Sequence, residues 1–219
     1  MHLSVGWFCV YKAASNSINR CDFQFPNWKL ETGWAIILKN RLGYPMLKGQ
    51  DIAILIKLLL KQQAKEKVEF KSIAHELYIS QSEVTKSIKR LEKSRLLTRY
   101  SDESIELHKH ELMELFVYTV KYLFPAEVNI ATRGMAAAYS SPHFKKIILS
   151  EEPYVWPYIN GDTKGLALTP IYKTLPNALD RTPDESFYAI ISALDLIRLG
   201  GKRENKIAKE ILENYIWNH

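Results

Sequence analysis

The order of hydrophobic periods between residues 46 and 107 limits this chain more than any other feature. In residues 50–63, Ile52, Leu55, Ile56, Leu59 and Leu60 recur at helical spacing and share one face. A charged stretch over residues 64–69 interrupts the period. Residues 70–77 resume it with Ile73, Ala74 and Leu77, and Tyr78-Ile79-Ser80 leaves room only for a tight connection. A third helix is expected over residues 81–94. Its start is marked by Ser80 and Glu83, the spacing of a capping box in which each side chain serves the other's backbone amide. Residues 96–99 and 105–107 then read as two short strands, with Ser101-Asp102-Glu103-Ser104 turning between them.

The third helix carries the functional signal. Projected at about 100° per residue, Val84, Ile88 and Leu91 fall together and face a core. Ser82, Lys86, Lys89 and Lys93 fall on the opposite side, flanked by Thr85 and Arg90. Hydroxyls near a helix start and cations along one face suit the major groove, where the first residues reach base edges and later lysines meet phosphates. A solvated helix face has the same pattern, so it is the neighbouring helix, turn and strands that favour nucleic acid.

Residues 46–107 resemble the MarR-type winged helix-turn-helix. The resemblance rests on Ile73-Ala74-His75-Glu76-Leu77, on Ser80-Gln81-Ser82-Glu83-Val84-Thr85-Lys86-Ser87-Ile88-Lys89-Arg90-Leu91-Glu92-Lys93, and on Leu96-Leu97-Thr98-Arg99. It implies a winged helix-turn-helix at residues 46–110 and a transcriptional regulator that binds double-stranded DNA sequence-specifically as a homodimer. It also implies that Ser80, Gln81, Ser82, Thr85, Lys86, Lys89, Arg90 and Lys93 contact DNA, with Arg99 at the base of the wing. Many wings of that family carry arginine at the tip. Here the tip is acidic, which phosphate repels, leaving Arg99 and Arg95 as the cations of the wing. An acidic tip also suits the alternative reading, a protein-interaction winged-helix module without DNA binding.

Beyond the wing, residues 109–124 form an expected helix with Leu112, Leu115, Phe116, Thr119, Tyr122 and Leu123 on its apolar side. Residues 126–181 read as irregular. Asn160-Gly161-Asp162 is placed as the turn of a hairpin between residues 154–158 and 166–169. Thr182-Pro183-Asp184-Glu185 offers a helix cap, a proline at the first position and a glutamate at the third. Phe187, Ile190, Ile191, Leu194 and Ile197 give that helix a buried stripe, and Gly200-Gly201 ends it. A last helix is expected over residues 204–216, with Ile207, Ile211, Leu212 and Tyr215 inward.

The expected fold class is therefore mainly α with a small β component: a winged helix-turn-helix, then an α+β C-terminal region ending in a helical hairpin. Residues 111–219 are expected to serve as a dimerisation or sensor region. The helix over 109–124 and the final hairpin would supply the dimer contact. Arg133, Tyr154 and Trp156 are candidate ligand-binding residues for a small-molecule effector, with Trp156-Pro157-Tyr158 as a pocket wall; a structural salt bridge and core packing are the competing accounts. His108-x-His110 with Glu111 and Glu114 reads as a polar strand-to-helix junction rather than a metal site, and His143 stands alone. Arg198, Lys202, Arg203 and Lys206 surround the turn at Gly200, as partner contacts or as solvated charge.

Composition sets outer limits. The formal net charge of +6 favours polyanion partners, while 47% hydrophobic and 25% charged residues exclude wholesale disorder. The two cysteines, Cys9 and Cys21, form no Cys-x-x-Cys pair, which excludes the usual structural zinc site and leaves free thiols as the expectation. No apolar run reaches the roughly 18 residues that span a bilayer. Residues 5–11 are apolar but lack a basic flank, so a cytoplasmic protein with no membrane partner is expected. No phosphate-binding loop, nucleophile elbow, His-Glu-x-x-His or dinucleotide fingerprint is present, so neither an enzyme nor a cofactor is expected. Residues 1–45 lack sustained periodicity and are expected to be an N-terminal extension, the organised protein starting at Met46.

Overall fold

The computed structural model describes residues 46–101, 104–148 and 152–217. The expectations for residues 1–45, and the acidic pair Asp102 and Glu103, lie outside these. The described chain is mainly helical with two small sheets. Helices α1 (Gly49–Gln63), α2 (Phe70–Glu76) and α3 (Gln81–Lys93) come first. Strands β1 (Leu97–Arg99) and β2 (Ile105–Leu107) pair antiparallel, with Leu97 opposite Leu107 and Arg99 opposite Ile105. Next come α4 (Lys109–Glu114), a π-helical segment (Leu115–Thr119) and α5 (Val120–Leu123). Strands β3 (Val128–Ala137), β4 (Tyr154–Pro157) and β5 (Thr163–Leu168) follow, and helices α6 (Leu175–Arg181), α7 (Glu185–Leu199) and α8 (Lys202–Trp217) complete the order.

Two helices form the centre. A surface helix buries one stripe, but α1 is buried at every position from residue 51 to 59 and α7 from 189 to 198. Each is covered from more than one side: α1 packs on both α3 and α7, and α7 on α8 and α5. One hydrophobic core therefore runs from Ile52 to Ile216, crossing the boundary expected near residue 110. The charged side chains it encloses are paired, as burial demands. Lys57 meets Glu76 of α2 at 3.0 Å and Asp184 at 2.7 Å, over the Phe187 ring. Asp195 is fully buried and binds Arg198 at 2.5 Å and the Trp156 indole at 2.8 Å. Arg198 also donates to the carbonyls of Phe124, Pro125 and Thr169, clipping two linkers onto α7. It is thus an internal brace, neither a partner contact nor a solvated charge.

Several expectations beyond the wing change. The helix over 109–124 contains a π insertion, with the Thr119 hydroxyl donating to the Glu114 carbonyl at 3.2 Å. One extra residue per turn advances the helical phase. Val120 consequently takes the buried place expected for Thr119, and Tyr122 turns outward with 75% of its surface exposed. The apolar side of this helix packs against α7 and α8 within the chain, so it is not free to form the expected dimer contact. Residues 126–181 hold a ten-residue strand and a helix instead of irregular chain. The strands expected near 154–158 and 166–169 exist, but they do not form a hairpin. β3 lies antiparallel to both, so β4 and β5 run parallel where they meet, and the three close into a small barrel. The loop between them crosses β3 where both chains are glycine: a Cβ on Gly161 would lie 2.1 Å from the Gly134 carbonyl. At α7 the cap is Asp184, not Thr182; its carboxylate accepts from the Phe187 amide at 2.9 Å while also holding Lys57. Gly200, at φ 85°, ends the helix as expected. Among the described residues no helix is long and apolar enough to cross a membrane.

Candidate nucleic-acid interface

The surface built by α3 starts at its cap. The Ser80 hydroxyl accepts from the Glu83 amide at 3.3 Å and lies 3.0 Å from the Ser82 hydroxyl. Glu83 does not return the bond expected of a capping box. Its carboxylate accepts instead from Lys86 at 3.0 Å and from Gln50 of α1 at 2.8 Å. Those two donors, Lys86 first, hold its pKa below the usual carboxylate value. The helix start is thereby fastened to α1 as well as to its own cap.

Along α3 the two faces separate. Val84, Ile88 and Leu91 have no solvent exposure. Gln81, Ser82, Lys86, Lys89 and Lys93 are exposed, and Thr85 is half-buried with its hydroxyl donating to the Gln81 carbonyl. The Lys86 ammonium is engaged by Glu83, so Lys89 and Lys93 are the more available cations of the helix.

Arg90 is a correction. It was expected at the flank of the DNA-facing side, but it turns inward and is 8% exposed. Its Nε and Nη2 donate to the two oxygens of the buried Asp51 at 2.8 and 2.5 Å, and Nη2 also reaches the Ser87 hydroxyl. A guanidinium held in a two-pronged pair inside the fold cannot also meet phosphate.

The two-stranded hairpin lies beside α3. Arg99 is half-buried, its guanidinium 5.6 Å from the Phe70 ring centre. Arg95 is exposed in a left-handed conformation. Tyr100 is 69% exposed, with its hydroxyl bonded to Glu106 at 2.9 Å. His108 is a joint: one ring nitrogen meets the Arg95 carbonyl at 2.7 Å, the other the Thr98 hydroxyl at 2.9 Å. His110 rests against Trp217 instead. Among the described residues no group of three metal-capable side chains forms.

The three candidate ligand residues do not converge. Trp156 has no exposure and belongs to the core through Asp195. Tyr154 packs on the Tyr139 ring at 5.0 Å. Arg133 donates to the Gly161 carbonyl and braces the barrel loop. Neither the salt-bridge nor the pocket account of these residues holds; packing and loop bracing explain all three. A cleft of about 800 Å³ opens next to them, with Tyr139, Tyr158, Asp162, Asp180 and Tyr188 in its walls. Of these, Tyr158 stood out in sequence as the end of Trp156-Pro157-Tyr158, and Asp162 only as part of the Asn160-Gly161-Asp162 turn. Tyr139, Asp180 and Tyr188 come from segments that sequence proximity does not join.

No protein-family model, curated protein or solved structure matches the chain.

Proposed function

We propose that this chain is a transcriptional regulator that binds double-stranded DNA sequence-specifically, with α3 as the recognition helix of a MarR-like winged helix-turn-helix. One observation carries the reading: α3 sets three fully buried apolar residues against six exposed polar ones, of which three are lysines and one, Glu92, is acidic. The helix is also pinned to α1 by Arg90 and Glu83, so it can meet a groove without reordering. Ser80, Gln81 and Ser82 would approach base edges, while Lys86, Lys89 and Lys93 would lie along the phosphates. The hairpin β1–β2 would follow the backbone through Arg95 and Arg99.

A homodimer on a two-fold operator belongs to the same reading. Since the apolar side of α4–α5 is consumed internally, the pairing surface would be the exposed aromatics Tyr118, Tyr122 and Trp217. The protein-interaction alternative is favoured by Tyr100, a large aromatic left exposed two residues before the acidic pair Asp102-Glu103 in sequence.

Selection of bound fragments from a randomised duplex pool tests the proposal. Enrichment of a shared motif, lost when Lys86, Lys89 and Lys93 are all changed to alanine in a folded protein, is the expected result. Enrichment that survives the triple change rejects α3 as the recognition helix, and absence of any enrichment leaves the protein-interaction reading in its place.

A further inference from the structure

The cleft beside the β3–β4–β5 barrel has a composition opposite to that of the whole protein. The chain carries a formal net charge of +6, yet among the described residues the cleft walls bring together Asp162, Asp180, Asp184 and Glu185 against one ammonium, Lys145. Asp184 is neutralised by Lys57, so three carboxylates remain. Asp180 accepts from the Tyr158 hydroxyl at 2.7 Å, and Asp162 from the Thr163 hydroxyl at 2.9 Å, which fixes both. Glu185 makes no ion pair among the described residues.

Three tyrosines stand among these acids. Tyr188 packs on Trp156 and donates its hydroxyl to the Ala136 carbonyl, which holds its ring in place. Burial first, then the nearby Asp162 charge, raises its phenol pKa well above the usual value, so the ring is neutral at any working pH. Tyr139 is anchored through its hydroxyl to the Glu152 carbonyl. Neutral aromatic faces and fixed carboxylates both attract cations, and together they disfavour anions and neutral polar molecules. A cleft of about 800 Å³ is in the range that takes a small organic ligand.

The far wall of the cleft is also a contact to the helix-turn-helix. Asp180, Pro183, Asp184 and Glu185 face the cleft. Between them, Arg181 donates to His75 of α2 at 2.8 Å and lies 5.7 Å from the Tyr78 ring. Asp184 holds Lys57, which in turn holds Glu76 of α2. Thr174, at the start of α6, donates to the Leu77 carbonyl. The turn that positions α3 therefore rests on the segment that walls the cleft.

We propose that this cleft binds an organic cation carrying an apolar or aromatic body, and that its occupancy is transmitted through residues 180–184 to the α2–α3 turn. The cation site stands on the cleft alone. The use of the transmission, as effector control of DNA binding, rests on the reading given above.

Calorimetric titration of the full chain with 2-phenylethylammonium and with benzyltrimethylammonium tests the site, using 2-phenylethanol as the neutral counterpart. Saturable binding of the cations, at least about tenfold tighter than the alcohol, is expected, and it should fall to the level of the alcohol in Asp162→Asn/Glu185→Gln. Saturable binding of neither cation, equal affinity for the alcohol, or retention of binding in that folded double variant overturns the site. Transmission is read without DNA, by amide hydrogen exchange across residues 77–80. Exchange there should change at least about threefold on cation binding in the parent protein. In Arg181→Ala the cation should still bind while that change is lost. Cation binding with unchanged exchange at the turn overturns the transmission and leaves the DNA-binding proposal untouched, because neither measurement uses DNA.

Discussion

Arg90 of α3 closes on Asp51 of α1 with both prongs of its guanidinium, inside the fold and 39 residues away in sequence. Asp51 has no solvent exposure, and one of its oxygens also accepts from the Lys48 amide at 2.8 Å. Removing one partner leaves the other charge buried and uncompensated, which costs about 3–5 kcal/mol. Asp51→Ala should be the more damaging single change, because it also removes the cap of α1. Asp51→Leu/Arg90→Met should recover much of the loss. Urea unfolding of the parent, Asp51→Ala, Arg90→Ala and the double variant measures this; a double variant as unstable as Asp51→Ala would contradict it.

The acid limb of stability should depend on Glu76. Burial disfavours its charge, but hydrogen bonds from Lys61, Ser72 and Lys57 and the Lys57 charge outweigh it and hold the carboxyl down to about 2, from the usual 4.5. A folded-state pKa below the unfolded one contributes stability that is fully present above pH 4.5 and lost as pH falls toward 2. Glu76→Gln should therefore lower stability at neutral pH and flatten its decline over that window. Thermal unfolding from pH 7 down to the acid limit checks the slope, and parallel profiles for the two proteins would rule the assignment out.

Two glycines should respond to alanine for different reasons. Gly200 sits at φ 85° with nothing within 4 Å of the missing side chain, so Gly200→Ala costs about 1 kcal/mol from backbone conformation alone. A Cβ on Gly161 would lie 2.1 Å from the Gly134 backbone, so Gly161→Ala must push the loop off β3. Its larger loss of stability should come with exposure of the barrel, seen as an altered Trp156 fluorescence. Equal, small losses at both positions would refute the close crossing.

The first third of the described fold was legible because its signals are local. The helical periods, the Ser80 cap and the short strands put α1, α2, α3, β1 and β2 within two residues of where they lie. The remainder depends on distant partners. β3 offers no alternation to read: Val128 and Ile130 are exposed, and its pairing is supplied by β4 and β5. The π insertion follows from how residues 115–120 pack on α7, so the sequence period alone placed Tyr122 inside. Arg90 stood beside the polar face of α3 in projection, and only a carboxylate from α1 turned it inward. The cleft draws on β3, the segment at 139–148, the loop at 158–162 and the α6–α7 connection, segments whose convergence no local pattern announces. The exposed positions of α3 needed nothing beyond the helical period.

Those positions carry the last prediction. Lys89 and Lys93 are exposed on the face opposite Val84, Ile88 and Leu91, and among the described residues no carboxylate ties either of them as Glu83 ties Lys86. If that face lies in the major groove, each of the two displaces condensed counterions from phosphate, and binding weakens steeply as salt rises. Lys89→Ala and Lys93→Ala should each weaken binding to all duplexes alike and flatten the logarithmic salt slope by about one unit. Lys86→Ala should do less, because part of its charge is already spent on Glu83. Gln81→Ala or Ser82→Ala should leave the slope unchanged and relax the preference at a single base position, by about 1–3 kcal/mol. Anisotropy titrations at several salt concentrations, on the selected duplex and on a scrambled one, separate the two classes of effect. A salt slope that stays the same in the Lys89 and Lys93 variants would place the phosphates elsewhere on the protein.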